Sequence, residues 1–143
     1  MIQKTTPGKT TLNDLQEAHT TVKLIDFDLA SHAYDFAQVG SICGTKGYMA
    51  PELFITSPLF PTKLDVYALG VTFRVLIDTH FIPTYASKLQ VMYLPSNEPF
   101  SSELRDLIAS MTYDKPSIRI NMDQVISHPW FGPGGAKLAA MNP

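Results

Sequence analysis

Two carboxylates, Asp26 and Asp28, close the run Thr21-Val22-Lys23-Leu24-Ile25. A short β-branched and apolar run that stops at an acid reads as a strand feeding a loop. A carboxylate delivered at such a strand end is placed where a Mg²⁺ ion could be held. The competing reading is that Asp26 only closes a turn by bonding to nearby backbone. A second phosphate-type signal, Gly8-Lys9-Thr10, fails on spacing. A phosphate-binding loop of that kind needs a glycine five residues before its second glycine, and Gln3 holds that position. Lys9 is then a solvated loop charge. Cys43 is the one cysteine of the chain, which rules out an intramolecular disulfide and fits a reducing compartment.

The elements that must position these groups are mostly helical. Thr62, followed three residues later by Asp65, resembles a capping box and predicts a helix over about 63–77. Its apolar residues Leu64, Val66, Leu69, Val71, Phe73, Val75, Leu76 and Ile77 fall almost all the way round the axis, the pattern of a helix buried in the middle of a domain. A second helix is expected from Ser101 or Ser102, with Leu104, Leu107, Ile108 and Met111 on one inward face. A third, shorter helix should follow Asn121, with Gln124 three residues on, direct Met122, Val125 and Ile126 to the core, and end near Pro129.

Four motifs in chain order, the last in two parts, carry the pattern. They are Val22 to Ala30 with its Asp26-Phe27-Asp28, Cys43-Gly44-Thr45-Lys46-Gly47-Tyr48-Met49-Ala50-Pro51-Glu52, Leu64-Asp65-Val66-Tyr67-Ala68-Leu69-Gly70-Val71, and the pair Asp114 to Arg119 and His128-Pro129-Trp130-Phe131. In this order they resemble the metal-binding triplet, the end of the activation segment, the central buried helix and the closing segment of the eukaryotic protein kinases. The Gly44-Thr45 pair resembles the serine/threonine branch.

The resemblance implies a mainly α fold: a kinase-like C-lobe over residues 21–131, with a small N-terminal β-hairpin. Residues 1–20 would be a poorly ordered lead-in containing a degenerate catalytic-loop region, and 132–143 a flexible tail. It also implies site roles. Asp26 takes the Mg²⁺–ATP position, so Mg²⁺ and ATP are the cofactors of the family. Glu52 and Arg119 form a buried ion pair, Asp65 sits at a helix start where a carboxylate is favoured, and Thr45 belongs to the activation segment. Trp130 and His128 are packing groups, and Ser41 stands where the family often carries an activating phosphate.

Departures from the pattern point away from catalysis by this chain. Phosphoryl transfer in the family needs a Gly-rich loop, a strand Lys paired with a helix Glu, and a catalytic loop with an Asp base and a metal-binding Asn. The first two would precede this sequence. If Pro7-Gly8 marks the catalytic loop, the base position holds Lys4 and the Asn position Lys9; an ungapped count from Asp26 gives Gly8 and Asn13 instead. Neither alignment supplies a carboxylate base. Asp28 replaces the family's glycine and adds negative charge beside the phosphate site.

Two functions are therefore expected: an inactive remnant acting by binding, or a fragment of a genuine Ser/Thr kinase. A net charge of −2 gives no strong field, so neither nucleic acid nor an anionic membrane is an expected partner, whereas another protein is, such as a kinase or a kinase substrate. No apolar run is long enough to span a bilayer, and an intracellular setting, cytoplasmic or nuclear, is expected. The stretch from Asp78 to Phe100 is short and irregular for a peptide-docking region.

Overall fold

Pro61, with φ −59° and ψ −37°, already has helical backbone angles and leads directly into α1, Thr62–Ile77, in the computed structural model of the chain. The structure describes residues 22–33, 35, 42–54, 60–78, 80–83, 94 and 100–132. The expected capping box at Thr62 does not form: Thr62 lies inside the helix, and no side chain caps its start. The fixed φ of proline makes a cap unnecessary for entering the helix. The backbone N–H groups of Lys63 and Leu64 instead donate to the carbonyls of Phe60 and Pro61.

The buried residues of α1 are Val66, Tyr67, Gly70, Val71 and Arg74, a single stripe of i, i+1, i+4, i+5, i+8 spacing. The rest of the helix is largely covered too: Leu64, Leu69, Phe73, Val75 and Ile77 are half-buried against the apolar clusters, and of the apolar residues named above only Leu76, 71 % exposed, stays outside. Gly70 is the point of closest approach in this stripe. A Cβ there would lie 2.6 Å from Thr112 Cγ2 and 2.8 Å from Met111 Cβ, so only glycine lets α1 settle against the next helix.

That helix is α2, Ser102–Met111. The Ser101 side chain accepts the Leu104 N–H at its start, and Leu104, Leu107, Ile108 and Met111 are buried as their spacing predicts. Burial of each such side chain stabilises the fold by about 1.5–3 kcal/mol before entropy is counted. Arg105 ties the preceding chain to α2, donating to the carbonyls of Leu94 at 2.9 Å and Phe100 at 3.3 Å.

The last helix, α3, is Met122–Ile126, too short to persist without help. Asn121 and Gln124 supply that help through a reciprocal capping box, at 2.8 and 2.9 Å. Val125 is buried, while Met122 is 40 % exposed and does not enter the core as expected. In a helix of little more than one turn, only one side can meet the core. A 3-10 turn, Pro129–Phe131, then carries the final aromatics back toward α2.

The apolar centre has three neighbouring clusters. Ala50, Tyr67, Val71 and Phe81 form the first; Val66, Leu107, Met111 and Val125 the second; Leu94, Leu104 and Ile108 the third.

The chain divides into two compact units, Met1–Ala30 and Ser31–Pro143, and all of these helices belong to the second. In the first unit, none of residues 22–27 is in a strand, and the backbone turns at 27–30, where Ala30 N–H donates to Phe27 O. No strand is present among the described residues. The expected N-terminal hairpin is therefore not seen in them, and any arm in residues 1–20 lies outside them. Val22, Leu24, Ile25, Phe27 and Leu29 are exposed, and the run expected as a strand is not in one over the described residues 22–27. Such a run becomes a core strand only where neighbouring strands and a covering layer surround it.

Candidate functional site

Within Ser31–Pro143, the motif residues converge on one guanidinium. Arg119 follows a tight loop in which its own N–H donates to Lys115 O, and it is 1 % exposed. Its Nη1 and Nη2 donate to the two oxygens of Glu52 at 2.6 and 2.9 Å, a bidentate fork between a planar cation and a planar anion. Glu52 is also buried, in the 3-10 turn Pro51–Phe54. The remaining donors of Arg119 are used as well. Nη1 donates to Lys63 O and Nε to Tyr113 O, each at 2.9 Å, and Nη2 makes a longer bond of 3.5 Å to Asp114 O.

Two neighbours complete this arrangement. The Tyr67 ring lies 4.9 Å from the guanidinium carbon, a cation–π contact inside the core. Burial pushes the Tyr67 hydroxyl up to about 12; Asp114 and Glu52 reinforce the rise and Arg119 opposes it. Lys63 reaches the same loop from α1, its Nζ donating to Pro116 O at 2.8 Å and Arg119 O at 2.6 Å. Neither Lys63 nor Tyr67 could be assigned this role from the sequence, because their partners lie about fifty residues away and no local spacing marks them.

This cluster holds segments together and offers no group for chemistry. Its cations and anions are saturated by each other and by backbone carbonyls, and its centre is closed to solvent. Asp65 lies on the exposed side of the first turn of α1. Although exposed by area, it is crowded enough that desolvation pushes its carboxyl above the usual range, against the favourable helix dipole.

The segment before Glu52 is shaped by backbone. Tyr48 N–H donates to Thr45 O, and Gly47 has φ +95°. A Cβ on Gly47 would collide with the carbonyl of Pro83, so this turn seats directly on the chain that follows α1. Thr45 is exposed, and Ser41 lies outside the described residues. Of the irregular stretch from Asp78 to Phe100, the described start is anchored by Arg74. Its Nη2 meets Asp78 at 2.8 Å, and its guanidinium lies 4.8 Å from the Phe81 ring.

Trp130 meets Phe131, the next residue, edge-on at 4.8 Å, and also Phe73 of α1 at 6.0 Å, a neighbour that the local sequence did not reveal. Trp130 remains 40 % exposed, so it packs along the surface and is not wholly enclosed. His128 sits beside it, with Nε2 at 3.1 Å from Asp106 Oδ2 on α2 and Nδ1 accepting the Trp130 N–H at 3.3 Å.

In the first unit, Asp26 has φ +66°, in the left-handed region that few residues other than glycine adopt. Asp is among the side chains that tolerate it, because a short polar group can bond locally. Asp26 and Asp28 are both exposed. Among the described residues, no group of three or more His, Cys, Asp or Glu side chains gathers in a way that could hold a metal ion. The described residues therefore do not by themselves compose a magnesium site.

The order of motifs, the closed ion pair behind the activation-like segment and the helical packing define a class. The protein kinase domain family matches residues 11–131, and the chain belongs to that family, with relatives among the serine/threonine kinases. It is 31 % identical over 131 residues to sperm motility kinase 2B of Mus musculus, covering 85 % of this chain and 26 % of that protein. It is 33 % identical over 117 residues to CBL-interacting protein kinase 29 of Oryza sativa subsp. japonica, covering 77 % and 26 %. Against SNF1-related protein kinase catalytic subunit alpha KIN12 of Arabidopsis thaliana the identity is 31 % over 126 residues, covering 83 % and 25 %. The chain thus spans about a quarter of the length of these curated relatives. Among the described residues, no helix is long and apolar enough to cross a membrane.

Proposed function

We propose that this chain is the C-lobe portion of a serine/threonine kinase-like domain that works by binding another protein and does not transfer phosphate by itself. The observation that carries this reading is the fate of the charged motif residues. Glu52 and Arg119 are consumed in a closed, buried cluster that Lys63 braces from its edge, whereas Asp26 stands exposed, with no metal-holding group of side chains around it among the described residues. Catalysis of phosphoryl transfer is mostly positioning and charge stabilisation. The base position holds Lys4 or Gly8, neither of which can accept a hydroxyl proton as a carboxylate does. Mg²⁺ and ATP are accordingly expected to bind weakly or not at all. Phosphate on Ser41 is expected to order little, since the catalytic-loop Arg that would cradle it has no counterpart in either alignment. The partner is expected to be a protein, a kinase or a kinase substrate, in an intracellular compartment.

The second reading is a fragment of an active Ser/Thr kinase, and it is favoured by the kinases among the relatives and by their greater length. A radiolabel transfer assay with Mg²⁺–ATP and a generic basic protein substrate separates the two, with Asp26→Asn as the blank. Label transfer at the blank's level is expected. Turnover that disappears in Asp26→Asn would establish the active reading.

A further inference from the structure

His128 is the N-cap of the Pro129–Phe131 turn and is engaged on both sides of its ring. On one side, Nδ1 accepts the Trp130 backbone N–H at 3.3 Å; on the other, Nε2 faces Asp106 Oδ2 at 3.1 Å. A nitrogen that accepts a hydrogen bond carries no proton, so the form of the ring that satisfies both contacts is the neutral tautomer with its hydrogen on Nε2, donated to Asp106. The histidine side chain is 9 % exposed, while its partner Asp106 is 73 % exposed, so the ring is held from within the fold against a carboxylate at the surface. The ring therefore clips the final turn to the outer face of α2. The turn carries Trp130 onto Phe73 and Phe131 toward the cluster of Val66, Leu107, Met111 and Val125.

We propose that His128 is a proton-sensitive latch: as the neutral imidazole it holds the Trp130 turn, and as the imidazolium it releases that turn while keeping its grip on α2. Protonation places a hydrogen on Nδ1, which then opposes the Trp130 N–H where before it accepted it. The opposite side of the ring gains, because the cation faces carboxylates. From α2 these are Asp106 and, one turn earlier, Glu103, whose carboxyl is held below the usual range by its own backbone N–H and the Ser101 and Ser102 side chains, and further by His128 only when the ring is charged. The one ionisable residue of α3, Asp123, is exposed in the first turn of that helix. Phe73 of α1 and the turn itself present no ionisable side chain to the ring. The two bonds thus respond to a proton in opposite directions, which makes the ring a selector between α2 and the aromatic turn.

Three readouts on the full chain test this. In NMR of the imidazole nitrogens at neutral pH, His128 is expected as the Nε2–H tautomer with an unprotonated Nδ1; an Nδ1–H tautomer overturns the proposal. Trp130 is the single tryptophan, so its emission reports this turn alone. A reversible emission change is expected as the pH is lowered from about 8 to about 5, without loss of far-ultraviolet circular dichroism. The change should vanish in His128→Asn, whose amide oxygen can take the Trp130 N–H at every pH and cannot protonate. Constant emission in the native chain, or the same change in His128→Asn, overturns the proposal. Should His128→Asn not fold, hydrogen exchange in the native chain decides: the protection factor of the Trp130 amide must fall on acidification, and an unchanged factor refutes the latch.

Discussion

Replacing Arg119 by alanine tests the central cluster most directly. The substitution removes a guanidinium that is 1 % exposed and leaves Glu52 buried without its counter-ion. The two charge-assisted bonds at 2.6 and 2.9 Å are each worth about 1.5–3 kcal/mol, so their loss alone is about 3–6 kcal/mol. Breaking a buried pair from one side typically costs about 3–5 kcal/mol, the same range. The bonds to Lys63 O and Tyr113 O are lost too, but they share one side chain with the ion pair, so their energies do not simply add. The expected loss is about 3–5 kcal/mol, much of the stability of a small domain. Urea unfolding of the full chain measures it, with the slope m checked for constancy so that the midpoint shift reports stability. Arg119→Lys should fall between the native chain and Arg119→Ala, since an ammonium cannot form the planar fork. The double variant Glu52→Leu with Arg119→Met should lose less than Arg119→Ala, because neither side then carries an orphaned charge. A loss below about 1 kcal/mol in Arg119→Ala is the value of an exposed pair and would refute the reasoning.

Two further outcomes follow from the packing. Gly70→Ala should lower stability by about 1–3 kcal/mol through overpacking against Met111 and Thr112, visible as a lower thermal midpoint; an unchanged midpoint would mean that α1 and α2 are not held this close. The Tyr67 hydroxyl, raised by burial to about 12, contributes stability that is complete below the ordinary tyrosine range near 10 and is lost as the pH rises through 12. Near-ultraviolet tyrosinate absorbance should therefore show a step near pH 12 that is missing in Tyr67→Phe, and its absence in the native chain would place Tyr67 in solvent.

Local signals in the sequence carried the helices well. The four-residue stripe of α2, its Ser101 cap and the Asn121–Gln124 box are all set by neighbours within a turn, where propensity and hydrogen-bond geometry decide the outcome. The misreadings arose where a nearby residue competed with the pattern or a distant one completed it. Pro61 took over the start of α1 from Thr62, and the nearly all-round apolar pattern of α1 gave no indication that Leu76 would be left outside. The run Val22 to Ile25 has strand composition, but composition cannot supply the neighbours that make a strand. Lys63, Tyr67 and Phe73 gain their roles from contacts across more than forty residues, which no window of sequence contains. Asp26 was legible as an unusual residue by position, and its positive φ adds a backbone reason, but the residues that would surround a metal there were not.

The Glu52–Arg119 contact joins residues 67 apart in the chain, and this separation bears on rates as well as on equilibrium. Closing so long a loop costs entropy that must be met before the contact returns any energy. Contacts nearer in sequence, such as those within α2 and between α2 and the final turn, can form at a smaller entropic cost. If the ion pair locks after the transition state, it slows unfolding and leaves the folding rate almost untouched. In that case the cluster behaves as a kinetic clasp: its energy sets how long the folded chain persists once formed, and the helices set how quickly it forms.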